Sequence, residues 1–265
     1  MGGAKIQDRV KELEEKGSTF GASLMAGAKY DSHIVENLDA DFSDDDDPDD
    51  YAGYAGLSAY WQHKFNRRLG LRADYNLYAD FHEEFKENDV LDQLVSVEPQ
   101  WYQGDFIFSL PLRYVYSRED DTSSYHRYTV APTVTWKFPE RRQAIEFYAM
   151  LSQLEDVDEY PTFDEDGHSL GGGLSYLISL RERTYFRLLT DYQRVEYDAR
   201  AWDYLNEVSD DQRQDILTSL GAEFNYQLTA RLDFLVRYTF VHTHSNVAIY
   251  DYDQHIVQAG VSVNF

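Results

Sequence analysis

Apolar and polar side chains alternate along most of the chain, and the period of two returns twelve times between Phe20 and Phe265. Leu71, Ala73, Tyr75, Leu77, Ala79 and Phe81 alternate with Arg72, Asp74, Asn76, Tyr78 and Asp80. Phe106, Phe108, Leu110, Leu112, Tyr114 and Tyr116 form an unbroken apolar series, and Val257, Ala259, Val261, Val263 and Phe265 close the chain. Successive side chains of a strand point to opposite faces, so each run predicts a strand with one apolar and one polar face. The pattern predicts strands near 20–30, 51–65, 71–81, 91–102, 106–116, 127–138, 144–154, 169–180, 185–195, 216–227, 233–240 and 254–265. Pro99, Pro111 and Pro132 fall inside these runs and cannot donate to a ladder, so local register is the weak point of the prediction.

The connections add a second regularity. Short turns near 67, 104, 140, 182 and 230 alternate with longer links near 40, 86, 121, 161, 204 and 248. The short turns carry Arg67, Arg68, Arg141, Arg142, Arg181, Arg183 and Arg231, whereas the long links hold most of the carboxylates. Tyr, Trp and Phe recur near strand ends, as in aromatic girdles at two membrane interfaces. An even strand count, short turns on one side and long acidic loops on the other predict an all-β chain. The expected architecture is a transmembrane up-and-down antiparallel β-barrel of 12 strands, with periplasmic turns and extracellular loops. A soluble β-sandwich or lipocalin-like barrel is the alternative, with its apolar face turned inward to a core.

Composition removes other classes. With 22 Tyr, 15 Phe, no Cys and a formal charge of −24, the chain offers no thiolate site and little to attract nucleic acid. It has no apolar run long enough for a transmembrane helix, but barrel strands need only about ten alternating residues each. No secretory signal opens the sequence. Ile6, Val10 and Leu13 recur at helical spacing, so residues 1–18 are expected to be a residual helical segment of an upstream periplasmic region, and 19–265 the barrel.

Candidate chemistry lies on the polar face, where Arg72, Asp74, Glu98, Arg113, Arg127, Glu146, Arg187, Asp191, Glu223, Asp233 and Arg237 are expected to line the lumen. Their mixed signs read first as a bracing network of ion pairs, and second as a polar conduit whose selectivity they set. The run Asp44, Asp45, Asp46, Asp47, Asp49 and Asp50 reads first as a solvated loop. Asp44 and Asp46, with Asp251 and Asp253 near the closing seam, are candidate calcium ligands without the spacing of a calcium loop. For hydrolysis only His168-Ser169, His242, His244-Ser245 and the pair Ser124 and His126 come forward, without a nucleophile motif. No cofactor is implied.

The last twelve residues, QHIVQAGVSVNF, resemble the closing strand of Gram-negative outer-membrane β-barrels, in which a terminal aromatic such as Phe265 is an assembly signal. The stretches AGAKYDSHIVENLD and HSNVAIYDYDQHIVQAGVSVNF resemble the C-terminal barrels of outer-membrane proteins with periplasmic tetratricopeptide repeats, such as the surface lipoprotein assembly modifiers and related export proteins. The sequence departs from the commoner YDSN form at His33. The resemblance implies a bacterial outer-membrane location, lipid and lipopolysaccharide around the wall, the barrel-assembly machinery as a partner, and a repeat domain upstream. The first functional expectation is a porin-like channel or export conduit for a polar solute, polymer or protein. A non-conducting anchor barrel that displays acidic loops or tethers a periplasmic partner is the alternative, and an outer-membrane hydrolase the third. The closing strand is expected to pair with 20–30.

Overall fold

The structure, a computed structural model, describes residues 17–32, 49–83, 89–119, 123–157, 166–202, 208–247 and 250–265. Fourteen strand segments run in chain order: β1 (Gly17–Asp31), β2 (Asp50–Lys64), β3 (Leu69–His82), β4 (Val90–Gln103), β5 (Phe106–Ser109), β6 (Leu112–Glu119) and β7 (Ser123–Val130). They continue as β8 (Thr133–Phe138), β9 (Gln143–Asp156), β10 (Gly167–Arg181), β11 (Thr184–Trp202), β12 (Val208–Gln227), β13 (Leu232–Ser245) and β14 (Tyr252–Asn264). Every pairing is antiparallel, and β14 returns to β1, so the sheet has no free edge.

Fourteen segments make twelve barrel strands because β5–β6 and β7–β8 are each one strand interrupted by a proline. On β4, Gln100 faces Ser109 and Val97 faces Leu112, so the register passes the Leu110-Pro111 break unshifted. On β9, Val130 faces Leu151 and Thr133 faces Tyr148, again without a shift. Each proline still accepts: Leu110 donates to the Pro99 carbonyl at 3.1 Å, Ala131 to Pro111 at 3.0 Å and Ala149 to Pro132 at 3.1 Å. Only the reciprocal donation is missing, because proline has no N–H. The Ala131 carbonyl, which loses it, accepts from the Thr133 hydroxyl at 2.8 Å.

The closing strand pairs with the first as expected, from Ser23 opposite Asn264 to Asp31 opposite Ile256. Small residues let the seam close. Gly27 faces Gly260, and a Cβ on either would collide with the Tyr54 ring packed over them.

Two expectations need correction. The link expected to run from about 196 to Arg213 is largely strand: β11 reaches Trp202 and β12 starts at Val208, with register shifts at Glu196/Arg200 and Arg200/Trp202. Each shift in register exchanges the two faces of the ladder, so strict alternation does not persist and the period is lost. Likewise β13 continues past Phe240 to Ser245. β1 begins at Gly17, just ahead of the expected boundary. Ile6, Val10, Leu13, His33 and the run from Asp44 to Asp47 lie outside the described residues.

The two faces differ as the alternation predicts. Phe20, Leu24, Leu151, Leu170, Leu180 and Phe265 are among the large apolar side chains exposed on the convex face. The buried set on the concave face is dominated by Ser, Thr, Asp, Gln and Asn. This inside-out arrangement is that of a membrane barrel rather than of a sandwich with a greasy core. Aromatics gather at the rim of the short turns, where Trp101 lies 5.5 Å from Phe108 and Phe106 lies 5.6 Å from Trp136. At the other rim Tyr30 and Tyr51 lie 5.2 Å apart.

Candidate functional site

Side chains on alternate strands meet only where the sheet is concave, and these meetings define the lumen. Lys29 on β1 reaches past β2 to Asp80 on β3 at 2.5 Å. Gln62 on β2 donates to Gln100 on β4 at 3.0 Å, and Arg187 on β11 lies 3.6 Å from Glu146 on β9. All eleven polar-face candidates share the inward parity of these residues: Arg72, Asp74, Glu98, Arg113, Arg127, Glu146, Arg187, Asp191, Glu223, Asp233 and Arg237.

Their partners run along the wall. Arg72 grips Asp74 two residues on, with an Nη2–Oδ1 distance of 2.5 Å, and lies over the Tyr60 ring. Arg237 donates to Glu223 through Nε at 3.1 Å and also through Nη2. The two face each other across β12 and β13, and Glu223 in turn faces Arg187 on β11. Arg187 also donates to Ser175 at 2.8 Å. Asp191 accepts from Ser219 at 3.1 Å, Glu98 from Gln100 at 2.8 Å, and Asp233 from Asn264 at 2.8 Å. Alternating charge on successive strands satisfies buried polar groups without bridging the bore. None of these bonds reaches the opposite wall.

A second luminal group lies beyond the eleven polar-face candidates. Lys29, Asp31, Asp50, Asp80 and His82 cluster at the long-loop end, with His82 Nδ1 at 3.2 Å from Asp50 and Gln254 Nε2 at 2.9 Å from Asp31. The signal was present in the alternation of β3, where Asp80 and His82 share the parity of Arg72. Arg213 belongs with them: it is paired to Asp215 at 2.5 Å and lies 3.3 Å from the centre of the Tyr250 ring.

The other candidates face outward. His242 and His244 lie on the convex face of β13, their Nδ1 atoms each 2.7 Å from Asp253 and Asp251. The calcium candidates of the seam are thus matched to imidazoles, and among the described residues no group of three or more His, Asp or Glu is placed to hold a metal. Asp44 and Asp46 lie outside the described residues. His168 is exposed beside Glu196 at 3.3 Å while Ser169 is buried on the opposite face. His244 and Ser245 are split in the same way, and His126 Nδ1 is 2.8 Å from the Tyr114 hydroxyl. Ser18 and His63 do make a hydroxyl–imidazole bond of 2.9 Å, but His63 is stacked on Trp61 and meets Phe65 edge-on, and among the described residues no acid orients it.

A groove of about 890 Å³ lies on the convex face, lined by residues that include Leu71, Pro99, Trp101, Leu110, Pro132 and Phe147. It sits where the proline breaks of neighbouring strands align.

A closed antiparallel twelve-strand ring with an apolar outer face and a polar, charge-paired inner face is the fold of porin-like outer-membrane β-barrels. The chain belongs to the family described as "Protein of unknown function, DUF481", which matches residues 87–256. Its fold is similar to that of an outer-membrane channel from Pseudomonas putida F1, with a TM-score of 0.54 and 10% identity over 95% of this chain and 96% of the other. It is also similar to the NanC porin, with a TM-score of 0.53 and 9% identity over 91% and 98% of the two chains. No curated protein matches in sequence.

Proposed function

We propose that the protein is a channel of the bacterial outer membrane that passes a polar solute through its lumen and carries out no catalysis. The observation that carries this reading is the arrangement of the inward charges, whose pairs among the described residues lie along the wall and do not bridge the bore. Twelve strands about 4.8 Å apart, tilted by about 40°, give a backbone ring about 24 Å across. Side chains from opposite walls take up about half of that width, which leaves room for a water-filled passage. The likeness in fold to an outer-membrane channel and a porin supports the same class.

The location follows from the same features. The exposed Leu, Phe and Val of the convex face need hydrocarbon, lipopolysaccharide would surround the acidic outer rim, and Phe265 would be read by the barrel-assembly machinery. Export of a polymer or protein, with a periplasmic repeat domain upstream, rests on the resemblance of residues 26–39 and 244–265 and is the narrower reading.

Purified protein in planar bilayers is expected to give discrete conductance steps. A bilayer that stays silent after verified insertion of folded barrel would overturn the channel reading in favour of the anchor.

A further inference from the structure

Most luminal arginines have a carboxylate, but two do not. Arg72, Arg187, Arg213 and Arg237 pair with Asp74, Glu146, Asp215 and Glu223. Among the described residues Arg113 has no hydrogen-bond or ion-pair partner. Arg127 has a ring contact, 5.3 Å from the centre of Tyr125, and an electrostatic interaction with Asp92, but its buried Nε lacks any hydrogen-bond partner. In a chain of net charge −24, two unmatched guanidiniums are the exception.

They are also neighbours. Arg113 on β6 faces Thr129 on β7, and Arg127 lies two residues along β7 on the same inward face. Diagonal positions on paired strands are about 7–8 Å apart, within the span over which two long side chains converge on one group. Hydroxyls surround them: Ser96 opposite Arg113 on β4, Thr129 bonded to Ser152 at 2.9 Å, and Ser117, all buried. The nearby carboxylate of Asp92 is held by the Ser117 hydroxyl at 2.6 Å; it feels the charge of Arg127, but among the described residues no hydrogen bond joins the two, so the guanidinium N–H groups stay open to a solute. A buried guanidinium N–H without an acceptor is costly, and paired forks of N–H groups match the oxygens of a planar or tetrahedral oxyanion.

We infer that Arg113 and Arg127 form an anion-binding station in the lumen that takes the carboxylate or phosphate group of a hydroxylated solute. This rests on the channel reading, and its test separates the two. Single-channel current is recorded with gluconate, glucose 6-phosphate or neutral glucose in the bath. Gluconate or glucose 6-phosphate is expected to block at lower concentration than glucose, and which of the two is stronger tells carboxylate from phosphate. Arg113→Gln/Arg127→Gln is expected to weaken that block by about tenfold or more, as loss of charge-assisted bonds requires, and Arg67→Gln, on an exposed short turn, to leave it nearly unchanged. Equal block by glucose, or block that survives the double substitution, would overturn the station.

If the barrel does not conduct, the channel reading fails, and calorimetric titration of the folded protein with inorganic phosphate and with gluconate decides the station alone. Saturable heat that the double variant loses supports it, and the absence of such heat overturns it. The double variant is accepted for either test only if its gel mobility shifts on heating as the parent's does. Where it fails to fold, Arg113→Lys, which keeps the charge and loses the fork, takes its place with a smaller loss of block expected.

Discussion

Glu223 is only 3% exposed, and what keeps its charge tolerable is first its bond to Arg237, opposite it on β13, with Arg187 facing it from β11. Removing one partner of such a pair strands the other, which is why broken buried pairs cost more than intact ones contribute. Arg237→Met is therefore expected to lower stability by about 3 kcal/mol, read as a shift in the urea midpoint of the folded barrel in detergent. The double variant Arg237→Met/Glu223→Leu should recover most of that loss, since two apolar side chains can replace a buried pair at little cost. A double variant no more stable than the single one would show that Glu223 answers mainly to Arg187 on its other side. Inward parity was readable for every residue of this network, because alternation fixes it. Partnership was not: whether Arg237 meets Glu223 or another acid depends on the stagger of neighbouring strands, which no local pattern encodes.

Elements were legible wherever lipid imposes a face. The strands from 69 to 109 match their expected spans closely, since most apolar side chains there share the outward parity. Legibility fails at the outer end of the β11–β12 hairpin, where the ladder shifts register and leaves no period to read. The prolines were a warning of shifted register, yet the register runs straight through them. Each costs one ladder bond and nothing more, and Pro132 faces outward beside the convex groove. Pro132→Val restores the N–H that would donate to Ala149. It is expected to raise stability by about 1 kcal/mol in urea unfolding, the net value of one hydrogen bond. A destabilised variant would mean that proline rigidity in the unfolded chain outweighs the missing bond.

Across the whole molecule, charge divides the two rims. Arg67, Arg68, Arg141, Arg142, Arg181, Arg183 and Arg231 are exposed on the short-turn side, together with the ends of β1 and β14. Glu196, Asp198, Asp251 and Asp253 lie toward the other. A chain without cysteine allows this polarity to be tested by labelling. In intact cells a membrane-impermeant maleimide should modify Asp198→Cys and spare Glu140→Cys, while both react after lysis. Labelling of Glu140→Cys alone would invert the orientation. The identity of a solute was never legible from alternation, because a polar face records that water is present and not what travels through it.

The seam between β1 and β14 sets the tempo at which the molecule can form. Hairpins such as β2–β3 join neighbours in sequence and can zip early, whereas the Gln254–Asp31 bond encloses 223 residues. Closing a loop of that length costs about 5 kcal/mol of chain entropy before any seam contact repays it. Contacts of such separation are also those that slow folding most. Ring closure is thus the expected kinetic bottleneck. Until it is passed, β1 and β14 are two open edges able to pair with the wrong chain. The small residues at Gly27 and Gly260 ease that last step, since the two ends can approach without first rearranging a side chain between them.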